Sequence, residues 1–163
     1  MMAGMSGCSD PRQTASSSAP ADSAAGEVAF RWAGPGGAAL VVAVRINGED
    51  PVDLILDTGA TLTCLDTAVV RELGLPRQRA MLGAAVGVGG SGRVQLHAAD
   101  SIQIGAATAR GLSVCALDLR SLRAISPDVR GLLGLNVLRN FDVTLDFDRE
   151  VLRLAPARAR SNP

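Results

Sequence analysis

Residues 54–63 read Leu-Ile-Leu-Asp-Thr-Gly-Ala-Thr-Leu-Thr. Three apolar residues run straight into Asp57, and Thr58 and Gly59 come next. The pattern predicts a buried strand, Val52 to Leu56, that delivers a carboxylate to its end, with Gly59 permitting a sharp turn beneath it. A carboxylate against an apolar strand is costly unless hydrogen bonds and a purpose hold it there. On this stretch alone, an Asx turn closing a strand accounts for the acid equally well. The rest of the chain decides between the two.

Outward from Asp57 the pattern is mostly β. Ala39 to Ile46 is an apolar strand, and Asn47-Gly48 is a hairpin signal that returns the chain into the strand bearing Asp57. Asp66 to Gly74 reads as a short helix, with Asp66 as N-cap and Gly74 just past the end. Val94 to His97, Ser101 to Ile104 and Leu112 to Leu117 are predicted as further strands, and Leu135 to Arg139 as a second short helix. Phe141 to Phe147 and Val151 to Leu154 make a closing hairpin, in which the alternation of Val143, Leu145 and Phe147 predicts one buried face. Most connections are too short for the crossovers of an α/β sheet. The expectation is an all-β fold, a small closed β-barrel with one or two short helices.

Composition removes several function classes. The chain has 163 residues, with 16 basic and 16 acidic groups in balance, so no nucleic-acid footprint is expected. All basic residues are Arg, which excludes a lysine nucleophile or Schiff base. His97 is the sole histidine, so a multi-histidine metal site is excluded. The alternation around His97 predicts a solvent-facing strand position. Cys8, Cys64 and Cys115 are odd in number and far apart, which indicates neither a zinc knuckle nor a disulfide framework. Cys64 and Cys115 read as small core residues, and their pairing is left open. No metal or organic cofactor is expected.

Residues 1–26 hold little to bury, since Ser9 to Gly26 is mainly Ser, Ala, Pro, Asp and Thr. Ahead of that stretch, Met5-Ser6-Gly7-Cys8 is similar to the end of a bacterial lipoprotein signal, though the residues before Cys8 are too few for its charged and apolar regions. Two readings stand side by side. In one, Cys8 carries a lipid anchor, the start site lies further upstream, the residues after Cys8 are a tether, and the protein is periplasmic or membrane-anchored. In the other the segment has no such role and the protein is cytoplasmic. The domain organisation expected is 1–26 unfolded, 27–155 a single folded domain, and 156–163 a flexible tail.

Three features succeed one another along the folded part. Asp57-Thr58-Gly59-Ala60 comes first. A glycine-rich stretch, Val86 to Val94, comes second. Gly131-Leu132-Leu133-Gly134, an apolar pair between glycines that opens a short helix, comes third. The glycine-rich stretch also fits the dinucleotide fingerprint Gly-x-Gly-x-x-Gly from Gly87 to Gly92. That fingerprint requires a helix directly after it, whereas Arg93 to His97 alternates as a strand.

Taken together, these features resemble the retropepsin-like aspartic proteases, in their bacterial single-domain branch, over roughly Ala39 to Leu154. The resemblance implies the acid-protease type of barrel, with Asp57 as the catalytic acid. Thr58 would brace the two active-site loops, Gly59 would complete the motif, and Leu132-Leu133-Gly134 would support the loop carrying Asp57. Val86, Gly87, Val88, Gly89 and Gly90 would form the tip of a flap over the substrate, and Ala60 would also face it. Family dimers usually interlock their chain ends.

Aspartic proteolysis needs two carboxylates sharing one proton around a water. The chain supplies one. Asp66-Thr67-Ala68 comes too soon after it and starts a helix, so Asp66 reads as a cap. Asp142, Asp146 and Asp148 read as the solvated face of the last hairpin. The second carboxylate must then be Asp57 of another copy, which predicts a two-fold homodimer acting on a peptide or protein substrate. The alternative expectation is a peptide-binding or dimerisation module that keeps the fold without cleaving.

Overall fold

The computed structural model describes residues 26–85 and 92–157. Within these residues the chain forms ten strands, two short helices and a 3-10 turn. In order they are β1 (Gly26–Ala33), β2 (Ala39–Ile46), β3 (Val52–Leu56), β4 (Cys64–Asp66), α1 (Thr67–Glu72), β5 (Arg77–Ala85), β6 (Gly92–Ile104), β7 (Ala107–Leu117), the 3-10 turn Arg120–Ala124, β8 (Val129–Leu133), α2 (Leu135–Leu138), β9 (Phe141–Asp146) and β10 (Val151–Pro156).

Local chemistry explains the hairpins. Asn47 and Gly48 both take positive φ, 53° and 80°, which is the backbone of a two-residue turn whose twist matches the flanking strands. Asp66 caps α1 by accepting the Ala68 N–H at 2.8 Å, and Gly74 lies just beyond the helix at φ 60°. The helix is Thr67–Glu72, inside the expected bounds.

The strands β6, β7, β4, β8, β3 and β2 are hydrogen-bonded in that order, and a pairing of β6 with β2 (Arg45 with Gln103, Ile46 with Ile102) closes the ring. This is the small closed all-β barrel expected. β5 extends one side, and β1, β10 and β9 extend the other, so β9 is a sheet edge among the described residues. The barrel interior is filled by Val42, Val44, Ile46, Leu54, Leu65, Ile102, Ile104, Val114 and Leu133, with Phe30, Leu152 and Leu154 in the same cluster. A second cluster lies on the other face of β2, β3 and β8. There Val41, Ile55 and Val129 are covered by Leu119 and Leu122 from the 3-10 turn and the residue before it. Over Leu54–Leu56, β3 is therefore apolar on both faces, which is why that stretch reads as an unbroken run and does not alternate.

Three expectations are corrected, and the pairing left open for Cys64 and Cys115 is resolved. Val94–His97 and Ser101–Ile104 are one strand, β6, because β7 pairs with it throughout, including Ala98 with Ser113 and Ala99 with Leu112. His97 does not face solvent. It is 7% exposed, and its Nδ1 lies 2.8 Å from the Leu75 carbonyl, since the chain from α1 to β5 covers that side of β6. Val143 and Phe147, read as part of a buried face, are 39% and 55% exposed, because only β10 flanks β9. Cys64 and Cys115 are buried as expected, and they are joined in a disulfide between β4 and β7, where they stand directly opposite. Among the described residues, no helix is long and apolar enough to cross a membrane.

Candidate active site

Asp57 stands where β3 leaves the barrel. β3 runs antiparallel to β2 on one side and parallel to β8 on the other, with Leu56 opposite Leu133. The Asp57 N–H extends that ladder by donating to the Leu133 carbonyl at 3.0 Å. The chain then turns at once: Ala60 N–H donates to the Asp57 carbonyl at 3.3 Å, and Gly59 N–H donates to Asp57 Oδ1 at 2.8 Å. A Cβ at residue 59 would stand 3.1 Å from that same oxygen, a tight approach that would make the carboxylate give by a few tenths of an ångström. One carboxylate oxygen is thus held by the loop itself. Thr58, Gly59 and Thr61 are exposed, and Asp57 and Ala60 are half-buried, so the motif lies at the surface of the single chain.

Behind this loop lies a buried network that the sequence did not reveal. Asn136 Oδ1 accepts both the Thr63 N–H, at 2.7 Å, and the Thr63 hydroxyl, at 3.0 Å. The Thr63 Oγ1 accepts the Gly134 N–H at 3.0 Å, and Asn136 Nδ2 donates to the Ser113 carbonyl at 2.8 Å. The first N–H groups of α2 add two bonds to the loop, Leu135 to the Ala60 carbonyl at 2.8 Å and Asn136 to the Thr61 carbonyl at 3.0 Å. The N–H of Cys115, one of the two disulfide cysteines, donates to the Thr63 carbonyl at 2.9 Å. β4, β7, β8 and α2 therefore hold the segment after Asp57. The side chains of Thr63 and Asn136 are both satisfied within this network, which makes it rigid and costly to break.

The glycines of Gly131-Leu132-Leu133-Gly134 have a packing cause. A Cβ on Gly134 would lie 2.5 Å from the Leu62 carbonyl oxygen and 2.8 Å from the Thr63 nitrogen. A Cβ on Gly131 would collide with the Cys64 carbonyl oxygen and stand 2.8 Å from Leu54 Cδ2. Both glycines let β8 and α2 come close to the loop.

Asp53 and Asp66, which flank the motif, are committed elsewhere. Asp53 pairs with Arg31 at 2.7 Å, and Asp66 caps α1. On the last hairpin, Asp146 pairs with Arg153 at 3.3 Å, while Asp142 and Asp148 are exposed. β5 and β6 form a hairpin paired as far as Ala85 with Gly92. Val86, Gly87, Val88, Gly89 and Gly90, expected at the tip of a flap, lie outside the described residues, as does Cys8. Gly92 opens the strand β6, so the helix that a dinucleotide fingerprint requires is not there.

Among curated proteins, nothing matches this chain. Among solved structures, a retropepsin-like aspartic protease from Rickettsia conorii superposes with a TM-score of 0.57 at 18% identity, over 83% of this chain and 95% of that one. The EIAV protease in an inhibitor complex superposes with a TM-score of 0.48 at 22% identity, over 62% of this chain and 86% of the other. At such identities the Rickettsia structure speaks for the fold alone, and the fold is the retropepsin-like one. The family model described as aspartyl protease matches residues 42–137, from β2 through the first turn of α2, and so takes in the Asp57 loop, the Thr63–Asn136 network and the glycines at 131 and 134. The chain therefore belongs to the retropepsin-like aspartyl protease family.

Proposed function

We propose that the protein is an aspartic endopeptidase whose catalytic pair consists of two Asp57 carboxylates, one from each subunit of a homodimer. The observation that carries this reading is the state of Asp57. It is a carboxylate at the end of a doubly buried strand, held through one oxygen by the Gly59 N–H, on a loop exposed at the surface and braced from behind. A loop braced so firmly suits a group that must be positioned within fractions of an ångström. With Asp53 and Asp66 engaged elsewhere, the reading has one chain provide half of a dyad and a two-fold axis through the loop provide the rest.

The chemistry runs through water. One ionised Asp57 takes a proton from a water held between the two carboxylates, and the water oxygen bonds to the scissile carbonyl carbon. The protonated Asp57 of the partner gives its proton to the carbonyl oxygen. The tetrahedral intermediate then collapses: one of its hydroxyls returns a proton to the partner's Asp57 as the carboxylic acid forms, the C–N bond breaks, and the amine leaves with the proton held by the first Asp57, so the pair again carries one proton. Like charges held this close resist double ionisation, which keeps one proton on the pair. The hydroxyl of the exposed Thr58 would bond across the axis and lock the two loops together. Residues 86–90 would close over an extended peptide, with Ala60 lining the floor beneath it. No metal or organic cofactor takes part.

The test is cleavage of a peptide library by the full chain from acidic to neutral pH, with and without a pepstatin-type inhibitor. Cleavage that the inhibitor blocks and that Asp57→Asn abolishes, with the dimer retained, is the expected result. Cleavage that survives Asp57→Asn would overturn the assignment, and binding of peptides without any cleavage would favour a non-catalytic module.

A further inference from the structure

We propose that three arginines, Arg71, Arg120 and Arg123, form a recognition site for an acidic side chain of the peptide substrate, about five residues from the scissile bond. The proposal rests on the peptidase reading above and adds a substrate class to it: peptides that carry Asp or Glu at that remove.

The three guanidinium groups come from two elements and meet at one surface cleft. Arg71 stands in the last turn of α1, and Arg120 and Arg123 belong to the 3-10 turn. With Thr67, Ala68 and Asp118 they line a hollow of about 360 Å³, within the size range of ligand sites. The fold fixes how the 3-10 turn presents them. Side chains three apart eclipse in such a turn. Leu119 and Leu122, each 4% exposed, are buried in the cluster that holds Ile55, while Arg120 and Arg123, also three apart, are exposed.

The carboxylates at the cleft are already committed. Asp66 is 7% exposed and accepts the Ala68 N–H. Asp118 accepts Arg120 Nε at 2.9 Å on one oxygen and 3.0 Å on the other. Arg120 first, and Arg123 in smaller measure, hold the Asp118 carboxyl below its ordinary value of 3.8, so it stays ionised at neutral pH. Among the described residues, no ion pair engages Arg71 or Arg123. Three positive charges against two negative leave the cleft cationic, and one further carboxylate balances it. The planar guanidinium fork matches a carboxylate in shape as well as in charge.

Strand register gives the distance from Asp57. Ile55, two residues before Asp57, is level with Leu132 of β8, and Leu132 is level with Cys64 of β4. β4 runs antiparallel to β8, away from the catalytic end, and two residues later reaches Asp66, opposite Leu117 at the end of β7. The cleft therefore lies about four residue rises along the strands and about two strand spacings across from Asp57, on the order of 16 Å. An extended peptide covers about 3.3–3.6 Å per residue, so a chain cleaved at Asp57 meets the arginines about five residues away. Half-buried Leu62, Leu132 and Leu117 lie between the two places, and Leu117 packs against both of the clusters that the other two join. This apolar surface carries the intervening residues.

The test uses the full chain and peptide libraries that are identical except for Glu or Gln at one position, three to seven residues to either side of the cleaved bond. Glu at about five residues is expected to raise kcat/KM on the order of fivefold over Gln, chiefly through KM, the scale of an exposed charge pair. The ratio is expected to fall toward one at high salt. Arg71→Gln combined with Arg123→Gln is expected to bring it to one, and Arg71→Glu combined with Arg123→Glu to reverse it in favour of Arg in the peptide. The Glu and Gln comparison and its salt dependence are read on wild type, so they decide even if a variant fails to fold. A wild-type ratio of one at every position, or a Glu preference that persists unchanged in the folded arginine variants, would overturn the site and leave the peptidase reading standing. If no peptide is cleaved, the peptidase reading fails by itself, and binding of the same peptides, measured by fluorescence anisotropy, decides on the site. Tighter binding of the Glu peptides that the double Gln variant loses supports it, and equal binding overturns it.

Discussion

At the scale of single residues, Asp57 was legible because its signal is local: an apolar run, an acid, a threonine and a glycine in order. Asn136 was not. It sits in Gly-Leu-Asn-Val, which reads as the start of any short helix, and its partner Thr63 is 73 positions away. A hydrogen bond across that distance leaves no trace in the neighbouring residues. His97 misled for a related reason. Alternation along β6 assigns it a face but cannot say that the chain between α1 and β5 covers that face. The network at Asn136 yields a magnitude. Asn136→Ala strands the buried Thr63 N–H and the Ser113 carbonyl without partners, and each such group costs about 1–3 kcal/mol. Urea unfolding should show a loss of about 2–4 kcal/mol, with cleavage falling further than the folded fraction does, because the loop after Asp57 loses its brace. Gly134→Ala should be at least as damaging, since its Cβ has no space beside Leu62 and Thr63 and the obstacle is backbone. A variant at either position with wild-type stability and activity would show that the brace is dispensable.

At the scale of elements, hairpins closed by Asn-Gly or by a short polar turn were legible, and strands paired across long separations were not. β2 and β3 announce themselves through Asn47-Gly48. β8 is a five-residue piece between two other elements, and its parallel partner β3 lies far back in the chain. β4 is three residues long, and β1 gives no turn signal that links it to β10. Charges secure that last junction. Glu27 on β1 accepts bonds from Arg153 at 2.6 Å and from Arg149 at 3.0 Å. The Arg153 guanidinium first, and Arg149 second, hold the Glu27 carboxyl below its ordinary value of 4.5. A carboxyl whose folded value is depressed contributes stability above its unfolded value and loses it as pH falls through the folded one. Wild type should therefore melt higher than Glu27→Gln at neutral pH, by a modest amount since the pair is exposed, and the gap should close as pH falls through the depressed value. A gap that persists unchanged in acid would assign the effect to packing. The disulfide gives the second test at this scale. Cys64 and Cys115 are separated by 51 positions, and cross-linking a loop of that length is worth about 4 kcal/mol in the chain-entropy account. Reduction, or Cys64→Ser with Cys115→Ser, should lower the unfolding free energy by that order. The same treatment should loosen the Thr63 carbonyl contact and reduce cleavage.

At the scale of the whole molecule, the proposed split of the active centre between two copies would make activity a question of mass action. A single chain exposes its motif and half-buries its acid, and on the two-copy proposal a diluted protein would hold half-sites alone. Specific activity should then be constant at high concentration and fall in proportion to the dimer fraction once dilution crosses the dissociation constant. The melting temperature should rise with protein concentration, because a partner that binds only the folded chain stabilises it by linkage. An inhibitor spanning both subunits should shift the dimer boundary to lower concentration, since it binds the paired state alone. Mixing sharpens the test. Adding inactive Asp57→Asn chains in excess to a fixed amount of wild type should suppress cleavage, because each wild-type subunit becomes paired with one that lacks its carboxylate. If each chain instead housed a complete centre, the same excess would leave the rate untouched. The two outcomes differ in kind rather than in degree, and the measurement needs only the full chain and one substitution at the residue from which the fold was first read.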